Sequence, residues 1–131
     1  GVYGVVSPLN RSKWYDCVKA TLRQEPWSRC RVATEVHGED LARLIWVLLN
    51  EHSIAGEVYN CSDLVVSDVD IVTLVQQITG VSGPLPDAGR SISSGVMACQ
   101  ACEKINFIFG GIRLLEKSVN ELVTAINLIK I

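Results

Sequence analysis

Glu35-Val36-His37-Gly38-Glu39-Asp40-Leu41-Ala42 reads as the end of a strand, a turn and the head of a helix. Arg29 to His37 alternates polar and apolar residues with the period of two expected of a half-buried strand. Glu39 and Asp40 then place two carboxylates where a helix begins, at the positive end of its dipole, with Asp40 the expected cap. From Asp40 to about His52, Leu41, Leu44, Ile45, Leu48 and Leu49 recur at helical spacing and form the expected inward face. One helix length further on, Gly56-Glu57-Val58-Tyr59-Asn60 closes a second apolar run, and Ile54 to Asn60 is read as a strand. Ser67-Asp68 opens the next helix, capped by Ser67, with Val69, Val72, Val75 and Ile78 inward and Gly80 as its stop.

Working outward, Val2 to Val6 is a short apolar β-run ended by Ser7-Pro8-Leu9-Asn10, a turn composition. Ser12 is the expected cap of a helix running through Gln24, striped by Trp14, Cys17, Val18 and Leu22, which Pro26 stops. Val81 to Gly95 is rich in Gly, Pro and Ser and reads as a loop. Met97 to Phe109 and Glu116 to Ile129 read as two helices separated by Gly110-Gly111-Ile112-Arg113. One folding unit of 131 residues is expected. Residues 1–86 are its core strands and helices, and residues 87–131 are a loop and C-terminal helices.

Charge and composition exclude several classes. The 12 basic and 14 acidic residues are interspersed, with a net charge of -2, so there is no electrostatic footprint for nucleic acid and no polybasic membrane patch. No apolar run reaches the roughly 18 residues needed to span a bilayer, and Gly1 to Asn10 lacks the basic region of a signal peptide. A cytoplasmic protein is the expectation. At 48% hydrophobic residues the chain is rich in apolar surface for its size, which suits either a dense α/β core or a face covered by another domain or a second subunit; a homodimer is one such arrangement.

Five cysteines in a chain without a secretory signal argue against a disulfide framework. Cys99-Gln100-Ala101-Cys102 has the spacing of half a zinc site or a redox pair. A zinc site needs two more ligands, and His37 and His52 have no paired spacing, so the pair reads as two thiols one helical turn apart. The cluster His37-Gly38-Glu39-Asp40 lacks a second histidine and gives no metal site. Its imidazole is expected to hydrogen-bond across a subdomain junction.

The order and spacing of these words resemble the C-terminal half of the extended short-chain dehydrogenase/reductase family, the NAD-dependent epimerases and dehydratases. There the corresponding places look like "His-Val-Asp-Asp-Leu-Ala", "Gly-x-Val-Tyr-Asn" and "Val-Ser/Thr-x-x-Asp". Gly1-Val2-Tyr3-Gly4 is similar to the Val-Tyr-Gly that follows a late strand of that family's Rossmann domain. Lys104, Phe109-Gly110-Gly111 and Leu115 to Val123 resemble its ending. The resemblance spans nearly the whole chain and is strongest from Val2 to Pro86. It implies an α/β fold with short strands and three to five helices, the C-terminal substrate-binding part of such an enzyme, lacking the N-terminal Rossmann nucleotide-binding unit. The absence of any Gly-x-Gly-x-x-Gly or Gly-x-x-Gly-x-x-Gly among ten scattered glycines agrees, because a dinucleotide pyrophosphate needs that turn at a helix N-terminus.

The resemblance further implies that NAD or NADP is held by the parent protein and not by this portion. The partners it implies are the chain's own N-terminal Rossmann domain and a sugar-type substrate. The substrate cleft would be walled by Tyr59 and Asn60, with Arg31 and Arg90 as anion contacts. The family's sugar-nucleotide epimerases carry an arginine four residues before the histidine, whose fork holds a diphosphate. Ala33 stands there, and Arg31, two residues earlier on the same strand face, is the candidate substitute. Tyr15-Asp16-Cys17-Val18-Lys19 matches the family's catalytic Tyr-x-x-x-Lys, yet it follows the Val-Tyr-Gly word instead of preceding it. No catalytic residue is therefore expected in this chain, unless Tyr15 and Lys19 make a minimal reductase. The alternative of another class is a non-catalytic α/β interaction module that keeps the scaffold and binds a protein through its apolar surface.

Overall fold

The computed structural model describes residues 1–88, 92–93 and 97–129. They form β1 (Val2–Tyr3), α1 (Tyr15–Leu22), β2 (Arg31–His37), α2 (Gly38–Asn50), β3 (Leu64–Ser67), α3 (Asp68–Thr79), β4 (Ile92–Ser93), α4 (Gln100–Lys104) and α5 (Gly111–Ile129), with 3-10 turns at Leu9–Arg11 and His52–Ile54. β2 is the axis of a mixed sheet. β1 runs parallel to its tail, Val2 opposite Val36 and Tyr3 opposite His37. β4 runs parallel to its head, with Arg31 opposite Ile92. β3 lies antiparallel along the other edge, from Val32 opposite Ser67 to Glu35 opposite Leu64.

One core joins the helices to the sheet. α1 supplies Cys17 and Val18, α3 supplies Ile71, Val72 and Val75, and α5 supplies Leu115, Val119, Leu122 and Ile126, over Tyr3 and Val66. The last four recur at the spacing of one helix face, so α5 shares a core with the first 86 residues. Asp68, 2% exposed, ties the approach to β2 onto α3. Its Oδ2 accepts the indole N–H of Trp27 at 3.0 Å and the Arg29 Nε–H at 3.2 Å.

Local chemistry redraws several expected elements. The strand expected over Ile54 to Asn60 does not form, and Val58 stands 81% exposed. A strand persists only where neighbours satisfy its backbone groups, and both edges of β2 are taken. The antiparallel partner is instead the β-branched run Leu64–Ser67. The expected helix Met97 to Phe109 contracts to Gln100–Lys104, because Asn106 turns left-handed at a φ of 56° and the Phe107 N–H returns to the Cys102 carbonyl, a helix-ending geometry. α5 begins at Gly111 rather than Glu116. The expected loop Val81 to Gly95 contains β4, while Arg90 lies outside the described residues.

Capping differs too. Ser12 accepts the Val6 N–H at 2.9 Å, and α1 starts later, behind a left-handed Trp14 with no side-chain cap. The cap of α2 is His37, not Asp40. Imidazole Nδ1 accepts the Glu39 N–H at 3.0 Å, a local bond rather than one across a junction. Ser67 caps α3 in a reciprocal box: its hydroxyl accepts the Asp70 N–H at 3.1 Å, and Asp70 accepts the Ser67 N–H at 2.7 Å. The inner stripe of α3 is Ile71, Val72 and Val75, leaving Ile78 at the surface. Of the five residues expected to face inward on α2, only Leu44 is fully buried. Ile45 and Leu49 are exposed beside Trp46, because α2 packs chiefly on β1 and β2 and leaves its other face open. No helix among the described residues is long and apolar enough to cross a membrane.

Candidate functional site

Open α/β sheets bind ligands outside the carboxyl ends of parallel strands, and β1 and β2 end side by side at Tyr3 and His37. A cleft of about 560 Å³ opens there. Gly4 turns with a φ of 149°, and a Cβ at this position would stand 3.5 Å from His37 Nε2, so glycine lets the backbone pass close over the ring. Because Nδ1 accepts the Glu39 N–H, the proton of the neutral ring sits on Nε2. The ring of Tyr3 meets His37 edge-on at 5.1 Å and leans on Trp14 at 5.3 Å. Among the described residues the buried Tyr3 hydroxyl has no hydrogen-bond partner. Burial first, then the Asp63, Asp40 and Glu35 carboxylates, hold this phenol well above its ordinary ionisation range, so it stays neutral.

Arg11 and Lys13 bring positive charge to the lining, and Glu39 and Glu121 bring negative. Lys13 is committed to the fold: its ammonium lies 2.5 Å from both oxygens of Glu35, a carboxylate only 2% exposed. The cleft therefore offers a ligand one imidazole N–H, the Arg11 guanidinium and the backbone around Gly4.

The residues expected to wall a substrate site are dispersed. Arg31 is exposed at the head of β2. Asn60 donates its side-chain N–H to the Ala98 carbonyl at 3.2 Å, and Tyr59 borders a separate hollow with Leu48, Leu49 and His52. Asp63 bonds to Glu35 through its backbone, so Tyr59 and Asn60 lie beyond the tail of the β2–β3 ladder while Arg31 lies at its head. Tyr15 and Lys19 do contact one another, with the ammonium 5.5 Å from the ring centroid, and neither lines the cleft. Cys99 is folded around Ser62, accepting its N–H at 3.0 Å and donating to its carbonyl at 2.9 Å, and Cys102 donates to the Asn60 carbonyl. Burial pushes the Cys61 thiol up to about 11 and raises that of Cys102. Among the described residues no group of three or more His, Cys, Asp or Glu could hold a metal ion.

Two carboxylates that sequence reasoning did not assign to this role fix the head of α5. Asp40 Oδ2 accepts the Gly110 N–H at 2.7 Å, and Asp63 Oδ2 accepts the Gly111 N–H at 2.8 Å. Arg43 braces the arrangement, donating to Asp40 Oδ1 at 2.9 Å and to the Ile108 carbonyl, with its guanidinium 4.1 Å from the centroid of the Phe107 ring. Glu35 was detectable by parity, since it shares a strand face with buried Ala33 and His37. Asp63 carries no such mark, its partner lying 48 residues away.

This arrangement, a short parallel strand pair closed by a capped helix and an antiparallel return, is the fold of the C-terminal part of an extended short-chain dehydrogenase/reductase. The chain superimposes on the crystal structure of UDP-glucuronic acid 4-epimerase from Bacillus cereus in complex with NAD, with a TM-score of 0.61 and 17% sequence identity. The match covers 93% of this chain and 43% of that one, so the chain spans less than half the length of the epimerase it resembles. No protein-family model matches the sequence, and no curated protein matches it.

Proposed function

We propose that this chain is the substrate-binding part of an NAD(P)-dependent epimerase/dehydratase-like oxidoreductase acting on a sugar or nucleotide-sugar type substrate. The observation that carries the reading is the fold likeness, nearly all of this chain lying on less than half of an NAD-bound epimerase. The chain's own residues do not fit a dinucleotide: no glycine-rich strand-turn-helix is present, and the Lys13 ammonium in the cleft is already matched by Glu35. NAD or NADP is assigned to an N-terminal Rossmann half. In this reading the cleft at Tyr3, Gly4 and His37 faces that half, and Arg31, exposed at the head of β2, is the candidate contact for the substrate's anionic groups, while Tyr59 and Asn60 at the far end of the ladder are not part of one site with it.

Calorimetric titration tests it. UDP-glucuronic acid is expected to bind the chain weakly and saturably, Arg31→Ala to weaken that binding severalfold, and NAD to give no tight binding. Hydride transfer by the chain alone would sink the assignment of catalysis to the other half. The second reading, a protein-interaction module, is favoured by Ala33 in place of a diphosphate-binding arginine and by exposed Trp46 and Leu49. It predicts no heat with any nucleotide sugar.

A further inference from the structure

The proposed function leaves the opposite edge of the sheet unused. Among the described residues β3 ends the strand order, and a groove of about 330 Å³ runs beside it. Leu64, Val65 and Val66 all line this groove. Side chains of a strand alternate between faces, so three consecutive lining residues mean that the groove follows the strand's open edge, where backbone N–H and C=O groups await a partner. Its apolar walls are Leu74 of α3 with Ile112 and Leu115 of α5. Val65 and Ile112 are 52% and 57% exposed. Both charged residues on the lining, Asp70 and Glu116, are acidic.

We propose that this edge docks an extended segment of a partner protein in which apolar residues alternate with Lys or Arg. The segment adds to β3 as a further strand, the mode in which main-chain hydrogen bonds give affinity and side-chain pockets give specificity. Its apolar residues lie against Leu74 and Ile112, and its cations meet Asp70 and Glu116. The four-residue edge spans about 13 Å and accommodates about four guest residues. Charge selects a foreign segment over a second copy. β3 is flanked by Asp63 before it and by exposed Asp70 after it, so antiparallel self-pairing would set acidic flanks of two copies against each other.

The test is an NMR titration of the ¹⁵N-labelled chain with two synthetic peptides, acetyl-Lys-Val-Thr-Val-Lys-Val-amide and the same sequence with Glu for Lys. The basic peptide is expected to shift the amides of Leu64–Ser67 and the facing turns of α3 saturably. The acidic peptide is expected to bind at least tenfold more weakly, and Glu116→Lys, at an exposed position that leaves the core intact, to narrow or invert that preference. Any of three results overturns the proposal: no localised shift at millimolar basic peptide, equal binding of both peptides, or shifts of the same amides that grow with the chain's own concentration and need no peptide. None of these bears on nucleotide-sugar binding, so this proposal and the proposed function fail separately.

Discussion

At the scale of single residues, carboxylates that are buried or partly buried organise the molecule. Glu35 neutralises Lys13, Asp68 gathers Trp27 and Arg29, and Asp40 and Asp63 hold consecutive amides at the head of α5. Asp63 carries a pH signature. Burial raises its carboxyl pKa above the usual range, outweighing the Gly111 N–H that lowers it. The native state thus holds this proton more tightly than the unfolded chain does, and ionisation of Asp63 costs stability at neutral pH. That cost is relieved as pH falls through the raised native value towards the unfolded one, about 3.9. Asp63→Asn keeps an acceptor for Gly111 and removes the charge. It is expected to leave the melting temperature at pH 7 unchanged or higher, with an advantage that shrinks on acidification. Asp63→Ala removes the acceptor and is expected to cost about 1–2 kcal/mol, as for a lost helix cap. Thermal melts of both variants from pH 3 to 7 decide it, and a clear loss of stability in Asp63→Asn at pH 7 would refute the argument. Glu35 could be read from strand parity, but the partners of Asp63 and Asp68 lie 48 and 41 residues away, beyond any local pattern.

At the scale of elements, what the sequence made legible was what is set within a turn or two of the chain. β2, α2 and α3 stand close to their expected spans because strand alternation, helical spacing and the Gly80 stop are all short-range. The Ser67 box is equally local, and Ser67→Ala is expected to cost about 1 kcal/mol by leaving helix amides without an acceptor; chemical denaturation reads the loss, and a change under 0.3 kcal/mol would remove the box from the account of α3. Ile54 to Asn60 and Met97 to Phe109 went otherwise for two reasons. Whether a strand forms depends on who stands beside it, and α4 is ended by a left-handed Asn106, a conformation that Asn permits without requiring. On α2, periodicity gave the helix but not its covered side. Leu41, Ile45 and Leu49 share a stripe whatever packs on it, and here only Leu44 is fully buried.

At the scale of the whole molecule, the uneven cover of α2 makes a contrast that can be measured. Leu44 is 2% exposed, and Leu44→Ala is expected to destabilise by about 2–5 kcal/mol. Leu49, 73% exposed, has little burial to lose, and Leu49→Glu is expected to change stability by less than about 0.5 kcal/mol while lowering the chain's binding of an apolar dye. Equal losses from the two substitutions would mean that the outer face of α2 is covered. α5 has a different standing, because it passes both recesses of the molecule. Glu116 lies in the groove beside β3, and Glu121 lies in the cleft beyond β1 and β2. Asp40, reached from α2, and Asp63, reached from the lead into β3, pin its first amides from two directions. The helix forms part of the wall of each recess, so a change in its position would alter both openings together.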